Sequence, residues 1–574
     1  MKTKRPLLVL LLFAAAIAVH FCALRYGFVS DEKLLITENR TVREFRVGEI
    51  ITGKFWPGQY KGVYYRPAVT LSYALGHAAA GEAPWVHHLF NFVLHALCVA
   101  GAYFLFRRLF RKEVPAFLGA LAFAVHPVHT ESVVWIAGRT DVMAAAFGVF
   151  AWLLLYRARE AGHNSARVGW YFCSLLLFLL SLGSKETAMV FPALVIAADY
   201  FLANGDAFDF RALKKRAPEY AAMALVVAVY IIVRGVILSG EGYEPAADPL
   251  ASLYMAKRGL SVIALFALSF AVMVWPHPWT PDFAYEKAFT GAPLWLLLVA
   301  AAFVVFLAGV TLQYRKRTPL YCFCGAGFFI SVLPFSHLLP FPTVFAERFL
   351  YIPSFFFCGG LGLLLHDLIT ISWVRRAAVS VVAVFFIVLA ALSTARAGYF
   401  KSGIEFWQSV IKEAPHLPVA YHWLGNFYKK EQAYTRAADH YKRALELDSG
   451  FTPARLNLVY ALIMSGRQED AAKRLTKLAD KEGLSEDTLE SVADLYNELG
   501  LSYFRRYQWQ VTARQWKRAL EMSPQNPESH ILLARLYLTV LDDEEKGVSH
   551  LQKARKIAPD HPLLKRLEKQ LKRY

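Results

Sequence analysis

Charge is scarce in this chain. Only 19% of its 574 residues are Asp, Glu, Lys or Arg, where a soluble domain carries nearer a quarter. Cysteine is scarce as well. Cys22, Cys98, Cys173, Cys322, Cys324 and Cys358 all fall within or beside apolar stretches, which excludes a disulfide-stapled loop framework. Acidic residues are outnumbered by basic ones, 45 against 63, for a net charge of +18. The excess is uneven. Residues from 401 onward hold 28 basic and 23 acidic side chains, leaving 35 and 22 before them. Basic loops at the cytoplasmic face of a membrane and phosphate-binding arginines explain that distribution better than a nucleic-acid surface does.

What the chain has instead is apolar length: 56% of it is hydrophobic and 15% aromatic. Segments able to span a bilayer lie near 7–24, 88–106, 115–130, 142–157, 168–183, 187–203, 218–238, 293–313, 319–335, 347–366 and 376–396. The first follows a basic start, Met1 to Arg5, but no small-residue cleavage site comes after it. It reads as an uncleaved span with its N-terminus inside. A further apolar stretch, 253–275, contains Lys257 and Arg258. The basic clusters Arg107-Arg108, Arg111-Lys112, Arg157 to Arg167, Arg211 to Arg216, Arg315-Lys316-Arg317 and Arg375-Arg376 all fall on the cytoplasmic side only if that stretch does not fully cross. The expectation is therefore eleven spans, with 253–275 partly embedded or re-entrant from the outer side. Residues 25–87, 239–292 and everything after 397 then lie outside the cytoplasm. Pro67–Gly81 is too short and polar to span and reads as a helix lying on the membrane.

After Ala397 the pattern changes to helical units with a period near 34 residues. Trp423-Leu424-Gly425, Tyr428, Ala437, Tyr441 and Ala444-Leu445 form one unit. Leu458, Ala471 and Leu478 occupy matching slots in a second. Leu499-Gly500, Tyr503, Ala519-Leu520 and Pro524 mark a third, and Leu533-Ala534, Tyr537, Ala554 and Pro559 a fourth. These are tetratricopeptide (TPR) helix pairs, whose small residues permit close packing, and Leu564–Leu571 reads as a cap helix. The expected fold is all-α: a polytopic membrane helix bundle over 1–397 and a TPR α-solenoid over 398–574.

Ionisable residues recur where outer loops meet spans: Asp31-Glu32, Tyr65-Arg66-Pro67, His87-His88, His126 and His129 with Glu131, Arg139 and Asp141, Lys185-Glu186, and Glu347-Arg348. Charges gathered at one membrane depth suggest a shared cavity. Each has a plainer reading. Asp31-Glu32 is also a solvated loop pair. His126, His129 and Glu131 have ligand chemistry for zinc, but Pro127 breaks the helix between the histidines. Arg139 has the planar fork that suits a phosphate. Lys185-Glu186 and Glu347-Arg348 serve equally as ion pairs at span ends or as substrate contacts.

The stretch His126-Pro-Val-His-Thr-Glu-Ser-Val-Val-Trp-Ile-Ala-Gly-Arg-Thr-Asp141 resembles the signature of the transmembrane and TPR-containing protein O-mannosyltransferases. So do Tyr65-Arg66-Pro67, Trp85-Val-His-His-Leu-Phe-Asn91, Ser184-Lys-Glu186 and Ala346-Glu-Arg-Phe-Leu-Tyr-Ile-Pro353. The compact length and short repeat array resemble prokaryotic members. The resemblance implies a GT-C membrane glycosyltransferase that moves a sugar, mannose in that family, from a polyprenyl-phosphate donor to a protein hydroxyl on the outer face. Its acidic pair maps onto Asp31 and Glu32, here Asp-Glu where eukaryotic relatives usually carry two aspartates. Asp31 aligns with the first acid and ranks ahead as base, with the order of the two left open. Arg66, Arg139, Lys185 and Arg348 are candidate cations for the donor phosphate, with His88, Asp141, Glu186 and Glu347 as further substrate-binding residues. Cations alone can neutralise a monophosphate, so no metal is required, and adjacent carboxylates are weak evidence for one. The expected partners are the donor lipid, the bilayer and an acceptor protein held by the TPR groove. A lipid or solute transporter would place ionisable groups at mid-membrane and show repeated spans, and neither is present. A non-catalytic TPR scaffold is the other rival.

Overall fold

The computed structural model describes residues 5–57, 64–202, 214–239, 255–276, 291–314, 316–338, 343–480 and 483–571. Arg211, Arg315 and much of the expected outer stretch, 240–254 and 277–290, lie outside the described residues. Every regular element among the described residues is helical. Two compact units emerge, Met1–Phe406 and Trp407–Tyr574.

The first unit is built on apolar helices: α1 (Arg5–Ala18), α2 (Pro67–Ala80), α3 (Pro84–Phe110), α4 (Glu113–Val125), α5 (Arg139–Glu160), α6 (Asn164–Leu182), α7 (Phe191–Leu202), α8 (Ala217–Leu238), α9 (Met255–Val274), α10 (Leu294–Tyr314), α11 (Pro319–Val332), α12 (Tyr351–Thr370) and α13 (Arg375–Ala397). Eight helices among the described residues are long and apolar enough to cross a membrane, and a bent pair makes nine if it is counted as one span. Arg5–Ala18 and Pro319–Phe335 are shorter apolar helices. This is the architecture of an integral membrane protein. Helix ends follow local chemistry. Helix α3 begins with Pro84 and ends on Arg107 and Arg108, while α5 has Asp141 in its first turn and Arg157 and Arg159 in its last. Both charge placements suit the helix dipole. The bent pair breaks at Pro127, which cannot continue the α4 hydrogen-bond ladder, and turns by 47°. Small residues allow close crossings: a Cβ on Gly362 of α12 would lie 2.7 Å from the Gly119 Cα of α4.

Of the stretch expected to be re-entrant, 255–275 is described, and the eleven-span count is not confirmed. Helix α9 runs unbroken for twenty residues and has the length and composition to cross. Lys257 and Arg258 sit in its first turn, where long basic side chains can reach a membrane surface. The eleven-span count rested on that stretch not crossing. Helices α8 and α9 both direct their C-terminal ends toward the polar motifs. Tyr230 of α8 donates to the Tyr65 carbonyl at 3.1 Å, and the Met273 carbonyl of α9 lies 3.0 Å from His126 Nε2.

The described part of the first long loop is folded. Leu35, Ile36, Val42, Ile50 and Phe55 pack with Val69 and Tyr73 of α2 against Ile136, Ala137 and Met143. Helix α2 thus has a buried protein-facing side, with Leu75 exposed on the other.

The second unit contains four helix pairs: Pro418–Lys430 with Tyr434–Leu447, Thr452–Met464 with Gln468–Ala479, Glu486–Phe504 with Trp509–Met522, and Pro527–Thr539 with Glu544–Ile557. The cap Pro562–Leu571 buries Leu564 and Leu567. Gly425 and Gly500 mark close approaches: a Cβ would stand 2.6 Å from the Tyr441 ring and 2.3 Å from Trp516. Gly500→Val should therefore force Trp516 out of place and destabilise the solenoid by about 1–3 kcal/mol. Thermal unfolding of the full chain should register a lower-melting transition, while Gly483→Val, with open space at that Cβ position, isolates the backbone cost of a left-handed residue.

Candidate active site

The acid pair divides into unlike members. Glu32 is fully buried. Its Oε2 accepts the Val29 N–H at 2.5 Å and its Oε1 the Ile136 N–H at 2.6 Å. It therefore pins the first loop to the segment before α5. Burial pushes its pKa up to about 8, helped by the charge of Asp31 and opposed by the backbone donors of Val29, Ile136 and Ala137. Asp31 is half-buried, with Ser30 Oγ donating to its Oδ1 at 3.2 Å. Ser30 holds a φ of 52°, a left-handed conformation uncommon for serine. That conformation turns the chain so that neighbouring carboxyls face different surroundings.

The other polar motifs form crossed ion pairs. Sequence neighbours of opposite charge do not pair with each other. Lys185 Nζ donates to both Asp141 oxygens at 2.6 and 2.7 Å, whereas Glu186 accepts from Arg66 at 2.7 and 3.2 Å. Arg348 pairs with Glu131, whereas Glu347 accepts two bonds from Arg396, at 2.8 and 2.9 Å. Burial would raise the Glu186 pKa, but Arg66 holds it down to about 2. The four pairs bring together the expected residues Arg66, Asp141, Lys185, Glu186, Glu347 and Arg348. Their cations differ in access. The Lys185 side chain is 3% exposed, Arg66 10% and Arg348 17%.

Arg139 has a different part from the one expected. It is fully buried. Its Nε donates to Asn91 Oδ1 at 2.7 Å, one terminal nitrogen to the Ser72 carbonyl and hydroxyl, and the other to the His87 carbonyl at 2.8 Å. Tyr73 and Phe90 rings flank the guanidinium at 4.9 and 5.3 Å. With its fork spent on protein acceptors, Arg139 ties α2, α3 and α5 together and offers no open edge to a phosphate. His88 is buried against Phe92. His126 spends its ring on the Met273 carbonyl and the Val128 N–H, and His129 lies 2.7 Å from Ser354 Oγ. Among the described residues no three His, Cys, Asp or Glu side chains gather as a metal site.

Three residues escaped the sequence reading. Arg396 completes the Glu347 pair. Tyr73 is buried, and its hydroxyl lies in the field of Arg139, Glu32, Arg66 and Asp31. Its oxygen has no hydrogen-bond partner among the described residues. Arg234 stands near the end of α8, the one charged residue after Glu219 in its first turn. With Arg66, Glu186 and Arg348 it acts on the Tyr64 hydroxyl, whose ionisation burial pushes up. The Arg66 guanidinium lies 4.2 Å from the Tyr64 ring. An ionisable residue inside an apolar span is a functional signal, and Arg234 was overlooked because it sits in no loop motif.

The two acids should separate in stability. Glu32→Gln places an amide N–H₂ against one of two backbone donors and should cost about 1–3 kcal/mol. Asp31→Asn, at a half-buried carboxylate, should cost less stability than Glu32→Gln. Thermal unfolding in detergent decides this, and equal losses would refute the division of roles.

Residues 66–234 match the family model described as dolichyl-phosphate-mannose-protein mannosyltransferase, and residues 428–486 match a tetratricopeptide repeat model. Protein O-mannosyl-transferase TMTC2 of Homo sapiens is 33% identical over 211 residues, covering 35% of this chain and 24% of that protein. Protein O-mannosyl-transferase TMTC3 of Mus musculus is 23% identical over 534 residues, covering 82% and 54%. Protein O-mannosyl-transferase TMTC1 of Homo sapiens is 26% identical over 515 residues, covering 78% and 56%. The chain thus spans between a quarter and about half the length of these relatives. Among solved structures, ArnT from Cupriavidus metallidurans bound to undecaprenyl phosphate aligns with 83% of this chain and 81% of its own at 16% identity, with a TM-score of 0.37. In sequence, and in the order of a membrane domain followed by TPR repeats, the chain resembles the transmembrane and TPR-containing protein O-mannosyltransferases.

Proposed function

We propose that the chain is a membrane glycosyltransferase that moves a sugar, mannose by its resemblances, from a polyprenyl-phosphate donor to a serine or threonine hydroxyl of a protein outside the cytoplasm. The observation that carries this reading is a half-buried acid on a pinned loop together with partly exposed cations, Arg66 and Arg348, in the loop motifs of a membrane bundle. Asp31 is the acid. Arg66, Arg234 and Arg348 surround Tyr64 with Glu186 as their carboxylate neighbour. The segment that matches the mannosyltransferase family model contains Arg66 and Arg234.

The chemistry follows from those groups. Asp31 takes the proton of the acceptor hydroxyl as its oxygen attacks the anomeric carbon. The sugar–phosphate bond breaks on the opposite face, so the reaction inverts configuration. The leaving polyprenyl phosphate gathers negative charge, which the more open edges of Arg66 and Arg348, with Arg234, stabilise. Cations suffice for a monophosphate, and the reading needs no metal. Glu32, Arg139 and the Asp141–Lys185 pair hold the acid and cations in place. The TPR unit lies on the outer side in this reading and holds an extended acceptor segment in its concave face.

Asp31→Asn keeps size and polarity but removes the base. Transfer from a polyprenyl-phosphate mannose should fall by roughly 10²–10⁴-fold, while donor binding persists. Arg348→Ala should instead weaken donor binding. Near-normal transfer by Asp31→Asn would remove the acid from the mechanism. Deleting 407–574 should reduce transfer to protein while sparing a short peptide acceptor, and equal loss of both would give the repeats a structural role instead.

A further inference from the structure

The opposite end of the bundle carries its own concentration of charge. Along α5, Arg139 and Arg157 are eighteen residues apart, about 27 Å at 1.5 Å per residue. Here a cavity of about 1080 Å³ opens between the ends of α3, α5 and α7 and the starts of α1, α4 and α8. Seven basic and three acidic side chains line it, so four positive charges are unmatched. Arg5 is 3.7 Å from Glu113, and Arg108 and Arg216 pair with Glu160 and Asp199. Among the described residues no carboxylate forms an ion pair with Arg107, Arg111, Lys112 or Arg157, and the last three are exposed.

The cavity is amphipathic. Phe104, one turn before Arg107 and Arg108 on α3, is 37% exposed, and Leu153 and Leu154 stand one turn before Arg157 on α5. Residues three and four apart share a helix face, so each basic group has an apolar surface directly beside it on a spanning helix. A small soluble anion would use only the basic half. A ligand with a phosphate head and hydrocarbon tails uses both halves, and basic pockets between membrane helices are suited to such headgroups.

We propose that this cavity binds the headgroup of an anionic phospholipid, with its acyl chains laid along Phe104, Leu153 and Leu154. The proposal is independent of the glycosyltransferase reading. The test uses the full chain, purified in neutral detergent and stripped of lipid, and measures affinity for phosphatidylglycerol by native mass spectrometry. Phosphatidylglycerol should bind at least tenfold more tightly than phosphatidylcholine of the same chain length. Arg157→Gln and Lys112→Gln, both at exposed positions, should each weaken it about fivefold. Arg157→Lys should retain binding, and Arg375→Gln, an exposed basic residue outside the cavity, should leave it unchanged. Equal binding of phosphatidylcholine would overturn the proposal. So would an equal effect of Arg375→Gln, which would mean recognition by overall charge. Displacement of the lipid by equimolar inorganic phosphate would also overturn it, by making this a site for a soluble anion.

Discussion

Four crossed ion pairs, Arg66–Glu186, Lys185–Asp141, Arg348–Glu131 and Arg396–Glu347, are the constraint on which the rest of the site depends. Burying one unpaired charge of this kind costs about 3–5 kcal/mol. Each half of the dipeptides Lys185-Glu186 and Glu347-Arg348 reaches a different distant segment. The start of α2, the starts of α5 and α12, the turn before α7, the segment after Pro127 and the end of α13 are thereby fixed at one level. The price in desolvation is high, so the arrangement makes sense as a device for geometry rather than for stability.

Within that frame two further groups immobilise the first loop. Glu32 grips backbone N–H groups on both sides of its carboxyl, and Arg139 spends its fork on Asn91, Ser72 and His87. Asp31 is left on a rigid support while itself half-buried. A general base needs that combination of fixed position and access. In the proposed reading, buried residues hold the position and partly exposed residues meet the substrate. Among the paired cations, Arg66 and Arg348 keep more solvent contact than Lys185.

The legibility of the sequence follows the range of the interactions. Repeats were readable because Gly425, Ala437 and Tyr441 satisfy a local rule that recurs at Gly500 and Trp516. Apolar helices were readable from composition. The stretch 253–275 was read from the alternation of the basic loops, whereas the unbroken α9 has by itself the length and composition of a span. The polar motifs were found, but their partners were not. Nothing in Lys185-Glu186 indicates that one residue reaches Asp141 and the other Arg66, and Arg139 looks like an available phosphate ligand until its acceptors are placed around it. That Glu32 accepts the N–H groups of Val29 and Ile136 was likewise not legible in the sequence.

The central claim is that the deepest pair is frame and that substrate charge is met by the more open cations. The most direct measurement is donor-lipid affinity across Asp141→Leu, Lys185→Met and the double variant, each assayed with its thermal stability. The account predicts that each single variant is strongly destabilised, and that the double variant recovers both stability and donor affinity because no unpaired buried charge remains. A Lys185→Met protein that melts normally but loses the donor, with no recovery in the double variant, would make Lys185 a phosphate ligand and contradict the account.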